Sequence, residues 1–192
     1  MNNYIANYLS EVKQICDRVD ADQIERFSNI VVVCRRNGGR IFFLGVGGSA
    51  GNCSHAVNDF RKILNVESYC ITDNASELTA RINDEGWDAC FSNYLKGSKL
   101  TSRDVIVVFS VGGGSTKTSQ NIVKGVEYAK EIGAKVCSVV SRDGGYTKLF
   151  SDACVHIPVI ANERITPHAE EWQGIIFHLI VNYIIHEHKN IC

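Results

Sequence analysis

The chain has 192 residues, of which 45% are hydrophobic, and a formal net charge of −1 at pH 7. Its length suits one α/β domain, and its dispersed basic residues argue against nucleic-acid and membrane-surface binding. No apolar stretch approaches the roughly 18 residues of a membrane span, and the polar start lacks the segments of a signal peptide. We therefore expect a cytoplasmic protein with small-molecule or protein partners.

The first elements in chain order are two helices. Residues 4–36 carry apolar positions at helical spacing, with a break near Asp20-Ala21-Asp22. Asp22 is a candidate N-cap for the second helix, and Asn37-Gly38-Gly39 can end it. We assign this helical hairpin to residues 1–38.

Short apolar runs then alternate with helical segments over residues 39–192. The predicted strands are 40–45, 67–72, 104–109, 135–140 and 153–157. The predicted helices are 49–64, 76–97, 116–132 and a last one from Pro167 to His188, with Thr166 as its cap. This alternation predicts a single domain over 1–192, an α/β fold with three layers and a doubly wound, five-stranded parallel sheet. Ligands bind such sheets beyond the carboxyl ends of the strands.

A glycine-rich loop follows the first predicted strand. Gly47 and Gly48 let the backbone turn and approach a ligand, and Ser49 can cap the next helix or donate to an anion. The loop could also bind a dinucleotide, but that motif needs an acidic residue at the end of the second strand. Glu67 lies at the start of that strand and Asp73 just beyond its end, which argues against a dinucleotide. We therefore expect this loop to bind a phosphate group rather than a dinucleotide.

A second glycine loop follows the third strand, and it offers Ser110, Gly112, Gly113 and Ser115 to the same ligand. No lysine or threonine stands where a P-loop requires it, so the two loops favour a phosphorylated sugar over a nucleoside triphosphate. Asp73, beyond the second strand, is a candidate to bind the sugar.

Two helices carry candidate metal ligands. His55 and Asp59 are four residues apart, and Glu170 and His178 are eight apart, so each pair lies near one helix face. If the helices meet, four ligands could hold a divalent metal, compatible with zinc and also with iron or manganese. The alternative is that His178, in an apolar helix, is a satisfied core residue.

Together these features resemble the sugar isomerase (SIS) domain, and more narrowly the phosphoheptose isomerases. The resemblance spans nearly the whole chain and includes the hairpin and the motifs at Gly45–Ser49, His55, Asn83-Asp84-x-Gly86, Ser110–Ser115, Asp143-Gly144-Gly145 and His178. It implies isomerisation of sedoheptulose 7-phosphate to D-glycero-D-manno-heptose 7-phosphate, for the heptose of lipopolysaccharide or capsule.

The resemblance also implies a mechanism and an assembly. The reaction passes through an enediol, with Asp59 and His178 as the catalytic acid–base candidates. A zinc ion would be held by His55, Asp59, Glu170 and His178, and active sites would form between the subunits of a homotetramer.

Several site residues depart from the family pattern. The family has asparagine at Val46, glutamate at Asp59 and glutamine at Glu170, and its second loop carries two more hydroxyl groups than Val111–Gly114. These departures leave open an isomerase of a different sugar phosphate. They also leave open a non-catalytic SIS protein, either a sugar-phosphate sensor or a replication-initiator-associating protein.

Overall fold

A computed structural model describes residues 3–187 of the chain. Its α-helices are α1 (Asn3–Cys16), α2 (Ala21–Arg36), α3 (Gly48–Lys62), α4 (Ala75–Glu85), α5 (Cys90–Gly97), α6 (Gln120–Ile132), α7 (Gly145–Phe150) and α8 (Ile165–Glu187). Its strands are β1 (Ile41–Gly45), β2 (Ser68–Cys70), β3 (Val105–Ser110), β4 (Lys135–Val140) and β5 (Ala153–His156). Short 3-10 helices cover Ile71–Asp73, Trp87–Ala89 and Asn162–Arg164.

The five strands form one parallel sheet in the order β2-β1-β3-β4-β5, so the predicted fold class is confirmed. Successive side chains of a strand point to opposite faces of the sheet. In β1, Phe43 packs in a core with residues of α2, α3 and α8, whereas Phe42 packs with residues of α5 and α6. The strand order reverses between β1 and β3, and ligands bind such sheets at this point.

Aromatic rings join α3 and α8 to the sheet. Phe43 of β1 meets Phe60 of α3 and Phe109 of β3 edge-on, with ring centroids 5.1 Å and 5.8 Å apart. Phe177 of α8 stacks on Phe109 at 6.3 Å. All four rings are buried, and loss of such a ring typically costs about 3–5 kcal/mol. This cluster fixes where His178, the next residue of α8, can lie.

The second helix of the hairpin begins two residues earlier than predicted. The side chain of Asp20 accepts hydrogen bonds from the backbone N–H groups of Asp22 and Gln23, over 3.0 Å and 3.2 Å. Asp20 is therefore the N-cap of α2. The prediction of Asp22 was wrong because that residue already lies in the first helical turn.

Two other predicted helices differ from the observed ones. The segment 76–97 is interrupted at Gly86, whose φ of 83° ends α4, because only glycine adopts this conformation without a steric cost. The segment 116–132 becomes helical only at Gln120, because residues before it belong to the second glycine loop. The short helix α7 follows Asp143-Gly144-Gly145, which the sequence suggested only as part of a motif.

The last helix starts before its predicted cap. A 3-10 turn leads directly into α8 at Ile165, so Thr166 and Pro167 lie within its first turn. The described part of α8 ends at Glu187, and the predicted end at His188 lies outside the described residues.

The cysteines are free thiols throughout the described chain. Cys34, Cys70 and Cys137 are buried, whereas Cys16 is exposed and Cys154 is half-buried. Cys53 is completely buried, and burial raises the pKa of its thiol well above the ordinary value.

Candidate active site

Two glycine loops leave the sheet side by side. Gly45 at the end of β1 is in register with Phe109 near the end of β3, so the loops that follow start as neighbours. Each is followed by a helix, α3 or α6. The expected meeting of the two loops at the carboxyl edge is thus observed.

The first loop leaves the start of α3 open. Gly47 is the N-cap, with a φ of 65° and no side chain to satisfy the free N–H groups of the first turn. Such groups, at the positive end of the helix dipole, attract anions. Ser49 does not cap the helix, and its hydroxyl oxygen instead accepts from Gln173 of α8 over 3.0 Å.

The second loop is braced by α7. A Cβ on Gly113, where φ is 68°, would overlap the carbonyl of Gly144. The backbone of the second loop therefore packs directly against the backbone at the start of α7, with no side chain between them. The hydroxyl of Thr147 donates to the Gly113 carbonyl over 2.7 Å. The Gly113 N–H donates to Ser110 Oγ over 3.0 Å. That N–H is therefore already used within the loop, which argues against its predicted role in phosphate binding.

A cavity of about 250 Å³ lies between the two loops. It brings together Ser49, Ser110 and Gly112 of the predicted set. Its wall also includes Arg142, Glu170 and the neighbouring Val46, Val111, Gly114, Thr118 and Ser119. Gly47 and Gly48 form the adjoining turn.

Two predicted binding residues lie away from this cavity. Ser115 Oγ accepts from the backbone N–H groups of Lys117 and Thr118, and so stabilises the loop from outside the cavity wall. Asp73, in the 3-10 helix that follows β2, accepts a hydrogen bond from Ser54 of α3 and lines a separate groove at that edge of the sheet. Neither residue therefore lies in the wall of the cavity between the loops, because β2 is an edge strand and Ser115 is used in its own turn.

Arg142, which follows β4 and lines the cavity, was not predicted from the sequence. Its backbone is held at φ 53°, and its carbonyl accepts from His156 over 2.9 Å. Its side chain lies within 3.9 Å of the position that a Cβ on Gly112 would occupy. Among the described residues it forms no salt bridge, so its charge is available to a ligand. Its position directly after a parallel strand was the signal that could have identified it.

Three of the four predicted metal ligands converge. Asp59 Oδ2 lies 3.4 Å from His178 Nε2 and 3.8 Å from His55 Nε2. One ligand atom from each residue falls within 4.8 Å of the others. Asp59 is buried, with Asn58 donating to its other oxygen over 3.0 Å, whereas both imidazoles are half exposed. The cluster is therefore preformed on the protein side and open to solvent.

Glu170 does not join this cluster. Its carboxylate occupies the space in which a side chain at Gly48 would lie, at the start of α3. Eight residues of helix separate Glu170 from His178, a rise of about 12 Å, so the two side chains meet α3 at different levels. The predicted four-ligand set is thereby corrected to three residues, with Glu170 at the cavity between the glycine loops.

The donor set suits a divalent metal. Two imidazoles and one carboxylate are typical of zinc sites that keep an open coordination position. Tetrahedral ligands about 2.0–2.1 Å from a zinc ion lie roughly 3.4 Å apart, close to the two distances at Asp59. No lysine or arginine in the described chain pairs with this carboxylate, so the residues fit a bound cation.

Comparison with known proteins matches residues 7–141 to the SIS domain family. The chain belongs to the SIS domain family. A phosphoheptose isomerase of Syntrophotalea carbinolica is 28% identical over 94% of this chain and 91% of its own length. That of Aneurinibacillus thermoaerophilus is 27% identical over the same shares. The solved phosphoheptose isomerase GmhA of Neisseria gonorrhoeae superposes with a TM-score of 0.82 at 24% identity, over 95% of this SIS chain and 96% of that one.

Two larger cavities of the SIS chain lie elsewhere. One of about 600 Å³ lies beside α2 at the amino ends of β3 and β4, and one of about 480 Å³ lies along β2. Neither contains the glycine loops or the histidine cluster. The residues of the glycine loops therefore favour the smaller cavity of about 250 Å³ as the ligand site.

No helix within residues 3–187 has both the length and the apolar character needed to cross a bilayer.

Proposed function

We propose that this SIS protein isomerises sedoheptulose 7-phosphate to D-glycero-D-manno-heptose 7-phosphate, as a step of heptose biosynthesis. One observation carries the proposal: the cavity between the glycine loops and a His–Asp–His cluster both include residues of the same pair of helices, α3 and α8. His55 follows Ser49 by six residues, or about 9 Å of helix rise. This separation is comparable with the length of an extended seven-carbon sugar phosphate.

The cavity between the glycine loops suits the phosphate end. Ser49 and Ser110 bring hydroxyl groups, the first turn of α3 brings free N–H groups, and Arg142 brings a positive charge. These are the groups with which proteins commonly bind phosphate. Glu170 adds a carboxylate that can accept a hydrogen bond from a sugar hydroxyl.

The reacting end of the sugar would face the cluster on α3 and α8. His55, Asp59 and His178 would hold zinc, which as a Lewis acid would polarise the substrate carbonyl. A base removes the proton from C1 while the C2 carbonyl oxygen takes up a proton, which gives an enediol. Return of a proton to C2 and loss of the proton on O1 give the aldose. Asp59 and His178 are the candidates to carry these protons.

The proposal includes a homotetramer with active sites between subunits. Tyr4, Ile5 and Leu9 are each more than half exposed on α1. Ile175 and Leu179 are also exposed and flank His178 on α8. Apolar side chains grouped in this way favour contact with another protein surface, and a neighbouring subunit would enclose the exposed imidazoles. The free thiols are consistent with a reducing, cytoplasmic location.

An isomerase assay with sedoheptulose 7-phosphate, with and without added zinc, tests the function. His178→Gln should abolish turnover with little change in melting temperature, because His178 is half exposed. His186→Gln is the matched control, since His186 lies on the same helix outside the cluster and is largely exposed. Absence of turnover in the zinc-loaded wild type, or full activity of His178→Gln, would disprove the proposal.

A further inference from the structure

Gln173 is completely buried between α3 and α8, although it is polar. Its Nε2 donates to Ser49 Oγ over 3.0 Å, and its Oε1 accepts from Asn52 Nδ2 over 2.9 Å. Asn52 Nδ2 also donates to the backbone carbonyl of Glu170 over 2.8 Å. These hydrogen bonds satisfy a side chain that would otherwise be costly to bury.

The carbonyl of Glu170 determines the direction of every hydrogen bond in this relay. A carbonyl oxygen can only accept, so the atom of Asn52 that faces it must be the amide nitrogen. The atom of Gln173 beside that nitrogen must then be its oxygen. The nitrogen of Gln173 consequently faces Ser49 and donates to it.

Ser49 is thereby left with a free proton. Its oxygen already accepts from Gln173, and in the part of the chain that the structure describes no hydrogen bond has Ser49 as donor. Ser49 and Ser110 both line the cavity between the glycine loops. Among the described residues no group accepts from its O–H, which leaves this proton for a ligand in that cavity.

We propose that Gln173 is a positioning residue that makes the Ser49 hydroxyl an oriented hydrogen-bond donor to the substrate phosphate. The inference rests on the proposed function for the identity of the ligand. A hydroxyl can donate or accept, and an anion requires a donor. By holding Ser49 in the donor state before the ligand arrives, the relay removes the cost of reorienting it.

Calorimetric titration with inorganic phosphate tests the proposal independently of turnover. Ser49→Ala should weaken binding roughly ten- to a hundredfold, because it removes a hydrogen bond to a charged group. Gln173→Met should weaken it about three- to tenfold, because Ser49 stays but loses its orientation. In the Ser49→Ala background, Gln173→Met should cause no further loss beyond about twofold, since its effect acts through Ser49.

Two further measurements separate positioning from a structural role. Asn52→Ala leaves Gln173 in place but frees its amide to turn, so it should also weaken phosphate binding about threefold. Zinc content and melting temperature report whether α3 and α8 remain packed. Equal losses from Gln173→Met in the wild-type and Ser49→Ala backgrounds would show a general packing effect and overturn the proposal.

The failures of the two proposals are distinguishable. If the wild-type protein binds phosphate, and the effect of Gln173→Met depends on Ser49 as expected, absence of isomerase activity contradicts only the isomerase function. Wild-type protein that does not bind millimolar phosphate contradicts the role of Gln173. An active isomerase without coupling between Gln173 and Ser49 retains the function and loses the positioning role.

Discussion

Glu170 and Arg142 bring opposite charges to the cavity between the glycine loops, so neutral replacements should change phosphate binding in opposite directions. Glu170→Gln should strengthen the binding of inorganic phosphate, because it removes a like charge from the wall at nearly constant volume. Arg142→Gln should weaken it, because it removes the positive charge. A pair of opposite effects within one cavity would locate the anion between these two residues.

The size of the effect follows from the dimensions of the cavity. A sphere of about 250 Å³ has a radius of about 4 Å, and we use this length as the scale of the separation between a central phosphate and the wall charges. Unit charges about 4 Å apart interact by about 4 kcal/mol at an effective dielectric constant near 20, and by about 1 kcal/mol in water. Arg142 is exposed and Glu170 half-buried, so solvent screening favours about 1 kcal/mol, roughly a fivefold change in affinity.

Calorimetric titration at low and high salt would measure both changes, which should shrink as salt rises. Glu171→Gln is the matched control, because this neighbouring carboxylate contacts Tyr8 and His168 outside the cavity. Unchanged or weaker phosphate binding by Glu170→Gln, with the control unaffected, would refute the electrostatic reasoning. Loss of zinc from Glu170→Gln would instead restore Glu170 to the metal site, against its position beside Gly48.

Two further predictions concern α1. Hydrogen bonds from Arg164, and to a smaller extent from His168, lower the pKa of Glu11 from 4.5 to about 2. The charged form of Glu11 therefore stabilises the fold above pH 4.5, and this contribution is lost as the pH falls towards 2. Glu11→Gln should therefore have a lower free energy of unfolding than the wild type at pH 7. Urea unfolding at several pH values should show this difference narrowing between pH 4.5 and 2. A difference that does not change with pH would contradict the stabilising role of the Glu11 charge. Leu9→Asp should dissociate the proposed tetramer in sedimentation experiments, because it places a charge on the exposed apolar face of α1. An unchanged sedimentation coefficient would exclude α1 from the interface.

The parallel sheet could be predicted because each strand is a short apolar run between helical segments. Phe42 and Phe43 are both buried, although they lie on opposite faces of the sheet. Because both faces are covered, the residues of β1 form a continuous apolar run rather than an alternation of apolar and polar residues. Helix boundaries were harder to predict where a hydrogen bond between a capping side chain and the backbone determines the first residue of the helix. Asp20 and Asp22 are the same residue type two positions apart, and only the bonds that Asp20 accepts identify the cap.

The candidate site could be predicted where spacing along one helix determines geometry. His55 and Asp59 share a face of α3 because they are four residues apart, and the structure brings His178 to them. Glu170 could not be placed in this way. Its position depends on how α8 packs along α3, and that packing is set by long-range contacts of Asn52 and Phe177 that no local pattern contains.

Arg142 and Gln173 were missed for different physical reasons. Arg142 precedes a turn motif that draws attention to its glycines, whereas its own side chain crosses to a loop about 30 residues earlier in the chain. Gln173 looks like an ordinary polar residue in a helix until its complete burial is known. Burial is a property of the packed molecule, and here it distinguishes a solvated glutamine from one that directs a hydroxyl group.

The same two helices carry both ends of the proposed site, which makes their relative position part of the chemistry. The Asn52–Gln173 hydrogen bond lies between the cavity at Ser49 and the cluster at His55 and His178. Under the proposed function, the distance from phosphate to reacting carbon is therefore set by helix rise and by this buried contact rather than by the loops. The loops can then vary in sequence, as Val111–Gly114 does here, while the spacing needed for the reaction is kept.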